Sequence, residues 1–181
     1  MCGNAVQKLL CLMTFSWWVM GLAAHSTLAA VPIVDTEHEY VIGESVEYYL
    51  DATGKLSLND VILKKWQTQE KKTPNFGFTD ATVWLRFSIE NKTGRKLDWM
   101  LEVAHPLHDR LDLFQIDKAG FYQEIKTGDL RPFQSRPVEH YNFVFPITFD
   151  AGELKHVYLR ARSDNSMLFP LTLSSKTVFA E

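Results

Sequence analysis

Residues 81–91 read Ala-Thr-Val-Trp-Leu-Arg-Phe-Ser-Ile-Glu-Asn, and this stretch constrains the fold more than any other. Its side chains alternate with a period of two. Val83, Leu85, Phe87 and Ile89 fall on one side, and Trp84, Arg86, Ser88 and Glu90 on the other. The first set is apolar and β-prone throughout, so it predicts the core face of a strand. The pattern returns near the end, where Val157, Leu159 and Ala161 face inward and Tyr158 and Arg160 outward. Two strands with the same aromatic-Leu-Arg order predict a sheet with one packed face and one polar-aromatic face. Function is expected on that second face.

The chain has 181 residues, 46% of them hydrophobic, which is ample for one core and short for two domains. Its 19 basic and 22 acidic residues give no reason to expect a nucleic-acid surface. The first thirty residues have the layout of a signal peptide. Lys8 supplies a positive start, residues 9–24 carry no charge, and Thr27-Leu28-Ala29-Ala30 ends in small residues that predict cleavage after Ala29 or Ala30. Trp17 and Trp18 are compatible with a membrane anchor, but the 16-residue span falls short of the ~20 that cross a bilayer. Cys11 lacks the surroundings of a lipid-attachment site. Cys2 and Cys11 both lie in this leader, so the expected mature domain, residues 31–181, has no disulfide and no cysteine metal ligand. An exported domain of this size held by its core alone fits the bacterial periplasm.

Through the mature chain the rhythm is β. Within residues 40–51 a first strand is expected at 46–51, then a short helix capped by Ser57. Residues 64–74, with four lysines, read as a solvated loop. Further strands are expected at 97–103, 110–116, 121–125, 141–149, 155–161 and 170–173, with turns at 118–120, 127–129 and 150–153. Pro146 predicts a kink or an edge position. Residues 130–139, with two prolines and two arginines, predict an irregular loop or edge. Strands every ten residues or so without βα alternation indicate an all-β fold, an antiparallel β-sandwich or jelly roll.

A family resemblance rests on several motifs in order. They are Thr82-Val83-Trp84-Leu85-Arg86-Phe87, Asn91, Trp99, the run 106–114 from Pro-Leu-His-Asp-Arg to Leu-Phe, Thr127-Gly128-Asp129, Pro132-Phe133, Arg136-Pro137 and Tyr158-Leu159-Arg160. Together they resemble the second type of extracellular sensor domain on bacterial seven-transmembrane receptors with diverse intracellular signalling modules, over residues 40–173. The resemblance implies a periplasmic sandwich like those of carbohydrate-binding modules that senses an extracellular ligand. It also implies seven membrane helices and a kinase or cyclase output beyond Glu181, where this sequence stops, so membrane association is expected only through that missing region. The other reading is a free-standing carbohydrate-binding or protein-interaction module. Homodimerisation is left open.

Trp84, Arg86, Tyr158 and Arg160 are candidates for binding a sugar or a small anion, because rings stack on sugars and guanidinium forks grip oxyanions. The structural alternative pairs each arginine with Asp109, Asp112 or Glu102, stacked on a neighbouring ring. Asp109 and Arg110 carry the same ambiguity, and Arg131 and Arg136 are loop cations that could reach a ligand. His105, His108, Asp109 and His140 could be assembled into a metal site, but Pro106 breaks the helix that His-x-x-His needs, so no metal is expected. No nucleophile elbow, zinc-protease motif or phosphate loop occurs, and neither catalysis nor a cofactor is expected. Asn91-Lys92-Thr93 forms a glycosylation sequon of little meaning in a bacterium.

Overall fold

The computed structural model describes residues 28–36, 38–116 and 120–180; the expected leader, up to residue 27, lies outside them. Among the described residues, eleven strands fill two sheets that face each other. They are β1 (Ala30–Ile33), β2 (Glu39–Val41), β3 (Glu47–Asp51), β4 (Gln67–Thr68), β5 (Thr82–Asn91), β6 (Leu97–Val103), β7 (Arg110–Ile116), β8 (Tyr122–Thr127), β9 (Phe143–Phe149), β10 (Leu154–Arg162) and β11 (Leu171–Ser175). The described residues also form two short α-helices, α1 (Leu58–Ile62) and α2 (Lys176–Phe179), and two 3-10 turns at Gly43–Ser45 and Phe133–Ser135.

The larger sheet runs β4-β3-β5-β10-β7-β8, with β1 parallel to β5 beside β3, and the smaller runs β2-β11-β6-β9. All other pairings are antiparallel, so the expected sandwich is the observed architecture. Residues 82–91, as β5, lie in the middle of the larger sheet. Val83, Leu85, Phe87 and Ile89 of β5, Val157, Leu159 and Ala161 of β10, and Leu111 and Leu113 of β7 all enter one core. Trp99, Leu101, Phe145, Phe149, Leu171 and Leu173 meet them from the smaller sheet. Leu85 and Leu159 lie directly opposite each other, both without solvent contact.

Two local expectations are corrected, and a third is met and extended. The strand expected over residues 46–51 is β3, and Glu39–Val41 before it is β2 of the other sheet, the chain crossing between the sheets through a tight turn at Gly43–Ser45. Gly43 is required there: a Cβ would sit 1.9 Å from the Lys72 carbonyl oxygen. Residues 64–74 are not simply a solvated loop, since Trp66 is only 8% exposed and Gln67–Thr68 pairs with β3. The turn at 127–129 begins one residue later, with Thr127 buried at the end of β8. Of the expected turn at 118–120, residues 118 and 119 lie outside the described residues.

Other features follow the sequence. Ser57 caps α1 with its hydroxyl on the Asp60 amide, and Asp60 reciprocates on the Ser57 amide. Pro146 lies exposed on β9, the edge of its sheet, where a missing amide donor costs no ladder bond. Asn91 is fully buried, its amide nitrogen donating to the carbonyls of Arg95 and Asp150 at 2.7 and 2.8 Å. The sequon asparagine is therefore a structural tie between two turns.

Candidate functional site

The outer face of the larger sheet, turned away from the sandwich core, is built as rows across the strands. In one row Glu47 of β3, Arg86 of β5, Tyr158 of β10, Phe114 of β7 and Glu124 of β8 are successive cross-strand neighbours. In the next, Tyr49, Trp84, Arg160, Asp112 and Lys126 follow one another in the same way. At the end of the sheet Arg162 stands directly opposite Arg110. The alternation read from β5 and β10 thus brings Trp84, Arg86, Tyr158 and Arg160 together on one face.

That face is covered over much of its area. Leu58 and Val61 of α1 and Trp66 pack onto Trp84, Phe114 and Tyr158 as a second apolar cluster. Trp84 is 0% exposed and stacks on Phe114 with ring centroids 5.6 Å apart. Tyr158 is 8% exposed, with Trp66 edge-on at 5.9 Å. Neither ring has an open face for a sugar. Burial pushes the Tyr158 phenol above its ordinary pKa, against the pull of the Arg86 charge.

The two strand arginines are each committed to a carboxylate. Arg86 donates from Nε and Nη2 to Glu47 Oε2, both at 2.6 Å, and its guanidinium lies 4.6 Å from the Trp66 ring centre. Glu47 is buried. Arg160 donates from Nε and Nη2 to Asp112 Oδ2 at 2.9 and 2.6 Å. Its guanidinium sits 5.4 Å from both the Trp84 and Phe114 ring centres. Of the partners expected for these arginines, Asp112 serves Arg160, whereas Arg86 uses Glu47, which the sequence reading did not name.

The loop cations divide. Arg131 reaches back to Asp112 Oδ1 and to the Thr127 carbonyl at 2.8 Å, so Asp112 holds two guanidinium groups. Arg136 lies elsewhere, donating to the carbonyls of His140 and Tyr141 and covering the Phe143 ring at 4.5 Å. Asp109 accepts the Asp164 amide at 3.0 Å. Arg110 projects from the start of β7, exposed.

These residues bound an open cleft of about 200 Å³ at the uncovered end of the face. Arg110, Asp112, Arg131, Arg160 and Arg162 line it, with Gly54 and Thr82 as its opposite wall. A second hollow of about 310 Å³ adjoins it, shares Arg110 and Arg162, and adds Asp109, Leu130 and Asp164. The strand expected at 155–161 stops one residue short of Arg162, which continues the period of two through Tyr158 and Arg160 and closes β10.

The histidines considered for a metal are separately engaged. His105 and His108 donate from Nε2 to the carbonyls of Ser166 and Leu168, and His140 Nδ1 accepts the Asn142 amide. No group of three metal-ligating side chains occurs among the described residues.

The family described as 7TMR-DISM extracellular 2 matches residues 43–175, from the turn between the sheets to the last residue of β11. This chain belongs to that family. As a 7TMR-DISM extracellular 2 domain it carries the family's match over both sheets, the covered outer face and the arginine-lined cleft together. No curated protein matches the chain. Among the described residues no helix is long and apolar enough to cross a membrane.

Proposed function

We propose that this protein is an exported, periplasmic ligand-sensing input domain of a bacterial transmembrane signalling receptor. The observation that carries this reading is the family match over residues 43–175, which takes in β3 to β11. The concave, charged end of an otherwise plugged sheet face supports it, because a concave surface with converging polar groups is where a small ligand is held. The domain's part is recognition. Its rigid outer face, fixed by the Arg86–Glu47 and Arg160–Asp112 pairs, places the cleft, and ligand occupancy is the signal passed on.

The test is a melting-temperature screen of the protein purified from the periplasm of an exporting bacterium, against neutral, cationic and anionic small molecules of extracellular origin. A ligand that binds only the folded state at a hundred times its dissociation constant adds about 2.7 kcal/mol of stability. At least one class should raise the melting temperature in a saturable way. A protein retained in the cytoplasm, or one that no class stabilises, contradicts the reading.

A further inference from the structure

The opposed pair Arg110 and Arg162 has no counterpart elsewhere on the outer face. Like charges directly opposite on neighbouring strands destabilise a sheet. Neither side chain has a hydrogen bond or ion pair among the described residues, although Asp109 and Asp164 border the adjoining hollow. Beside them, Arg131 and Arg160 share the carboxylate of Asp112, and Arg160 also reaches Glu124 Oε1 at 3.4 Å, so four guanidinium groups line the cleft with Asp112 as the one carboxylate in its wall. The opposite wall is kept low. A Cβ on Gly54 would come within 3.2 Å of Arg162 Nη1 and 3.4 Å of the Thr82 hydroxyl. No aromatic ring lines the cleft, so neutral-sugar stacking has no platform there.

We propose that this cleft binds a small, multiply charged anion bearing carboxylate or phosphate oxygens, with Arg110 and Arg162 as the two free forks that grip it. The inference rests on the ligand-sensing reading above and names the ligand class. Guanidinium forks match planar and tetrahedral oxyanions in paired hydrogen bonds. Arg131 and Arg160, held from behind by Asp112, add positive charge without having to be reordered on binding. Two unpaired arginines set against each other contribute repulsion rather than stability to the empty domain. A sequence that keeps such a local conflict marks a site where binding is what the residues serve.

The test is calorimetric titration of the full chain as made in an exporting bacterium, at constant ionic strength, with citrate, inorganic phosphate, digalacturonate and glucose. One or more of the three anions should bind at one site per chain, and glucose should not. Arg110→Met and Arg162→Met should each weaken that binding by roughly tenfold to a hundredfold. They should also melt, without ligand, at or above the wild-type temperature, because the repulsion is relieved. Arg95→Met, which removes an exposed positive charge away from the cleft, should bind as wild type. Binding of citrate or phosphate assigns the charge to a free small anion, and of digalacturonate alone to the acidic unit of a glycan. The inference is overturned if none of the three anions binds. It is equally overturned if both cleft variants bind unchanged, or if they lose binding together with ligand-free stability. Where the melting screen finds only neutral or cationic ligands, sensing stands and this inference falls.

Discussion

At the scale of single residues, His108 shows how burial fixes a protonation state. It is fully buried, lies 4.6 Å from the Phe169 ring in a stacked geometry and donates from Nε2 to the Leu168 carbonyl at 3.0 Å. Its Nδ1 has no partner. Burial, reinforced by the neighbouring His105, pushes its pKa from 6.5 to about 4. The unfolded chain therefore takes up this proton near pH 6.5, and the folded chain resists it down to about 4. The stability this residue contributes is intact above pH 6.5 and is lost as pH falls through that window, roughly 3 kcal/mol in all. Denaturant titrations between pH 7 and 4 should show a steeper decline for wild type than for His108→Gln. Equal slopes would mean that the histidine charges freely in the fold. Gly128, with φ of +141°, offers a second residue-scale test. A Cβ there would lie 2.3 Å from the Asp109 carbonyl oxygen and 2.7 Å from the Arg110 Cα. Gly128→Ala should cost about 1–3 kcal/mol by calorimetric melting, because backbone rather than a flexible side chain must move.

At the scale of elements, the sandwich face of β5 and β10 was legible because every second residue is apolar, and period alone identifies such a face. What lies over the other face was not legible. Periodicity says which side chains share a side and says nothing of what packs on them, so the cover supplied by α1 and Trp66 came only from the structure. The lysines around Trp66 hid it in the sequence, since they make the segment look solvated while one ring turns inward. Ion-pair partners were half legible for a related reason. Arg160 and Asp112 are cross-strand neighbours, as are Arg86 and Glu47, and the register that makes them so is set by tertiary pairing. Trp66 closes the second cluster, touching Tyr49, Tyr158 and the Arg86 guanidinium. Trp66→Ala should therefore lower stability by about 3–5 kcal/mol in chemical denaturation, a core-sized loss from a residue outside the main core. A loss below half a kilocalorie would show that the cover is not packed as described.

At the scale of the whole molecule, the outer face of the larger sheet has two halves with opposite duties. One half is architecture: the aromatic cluster lies under α1 and Trp66, and the Arg86 guanidinium, paired with Glu47, lies against the Trp66 ring. The other is the uncovered arginine end, where Arg162 and Arg110 face each other unpaired and stability gains nothing from them. The start of the fold bears on export as well. Val31 and Ile33 of β1 are buried against the core, so cleavage after Ala29 or Ala30 would leave the strand's inward side chains in place. Mass analysis of the periplasmic protein should give a first residue of Ala30 or Val31, and an uncut species pelleting with membranes would contradict it. The division of the face is tested most directly by melting Arg86→Met and Arg162→Met side by side without ligand. The Met stem keeps the packing and removes the charge in both. Arg86→Met leaves Glu47 buried and unpaired and should lose about 3–5 kcal/mol, whereas Arg162→Met should match or exceed wild type. Equal losses in the two variants, or a larger loss in Arg162→Met, would contradict the division.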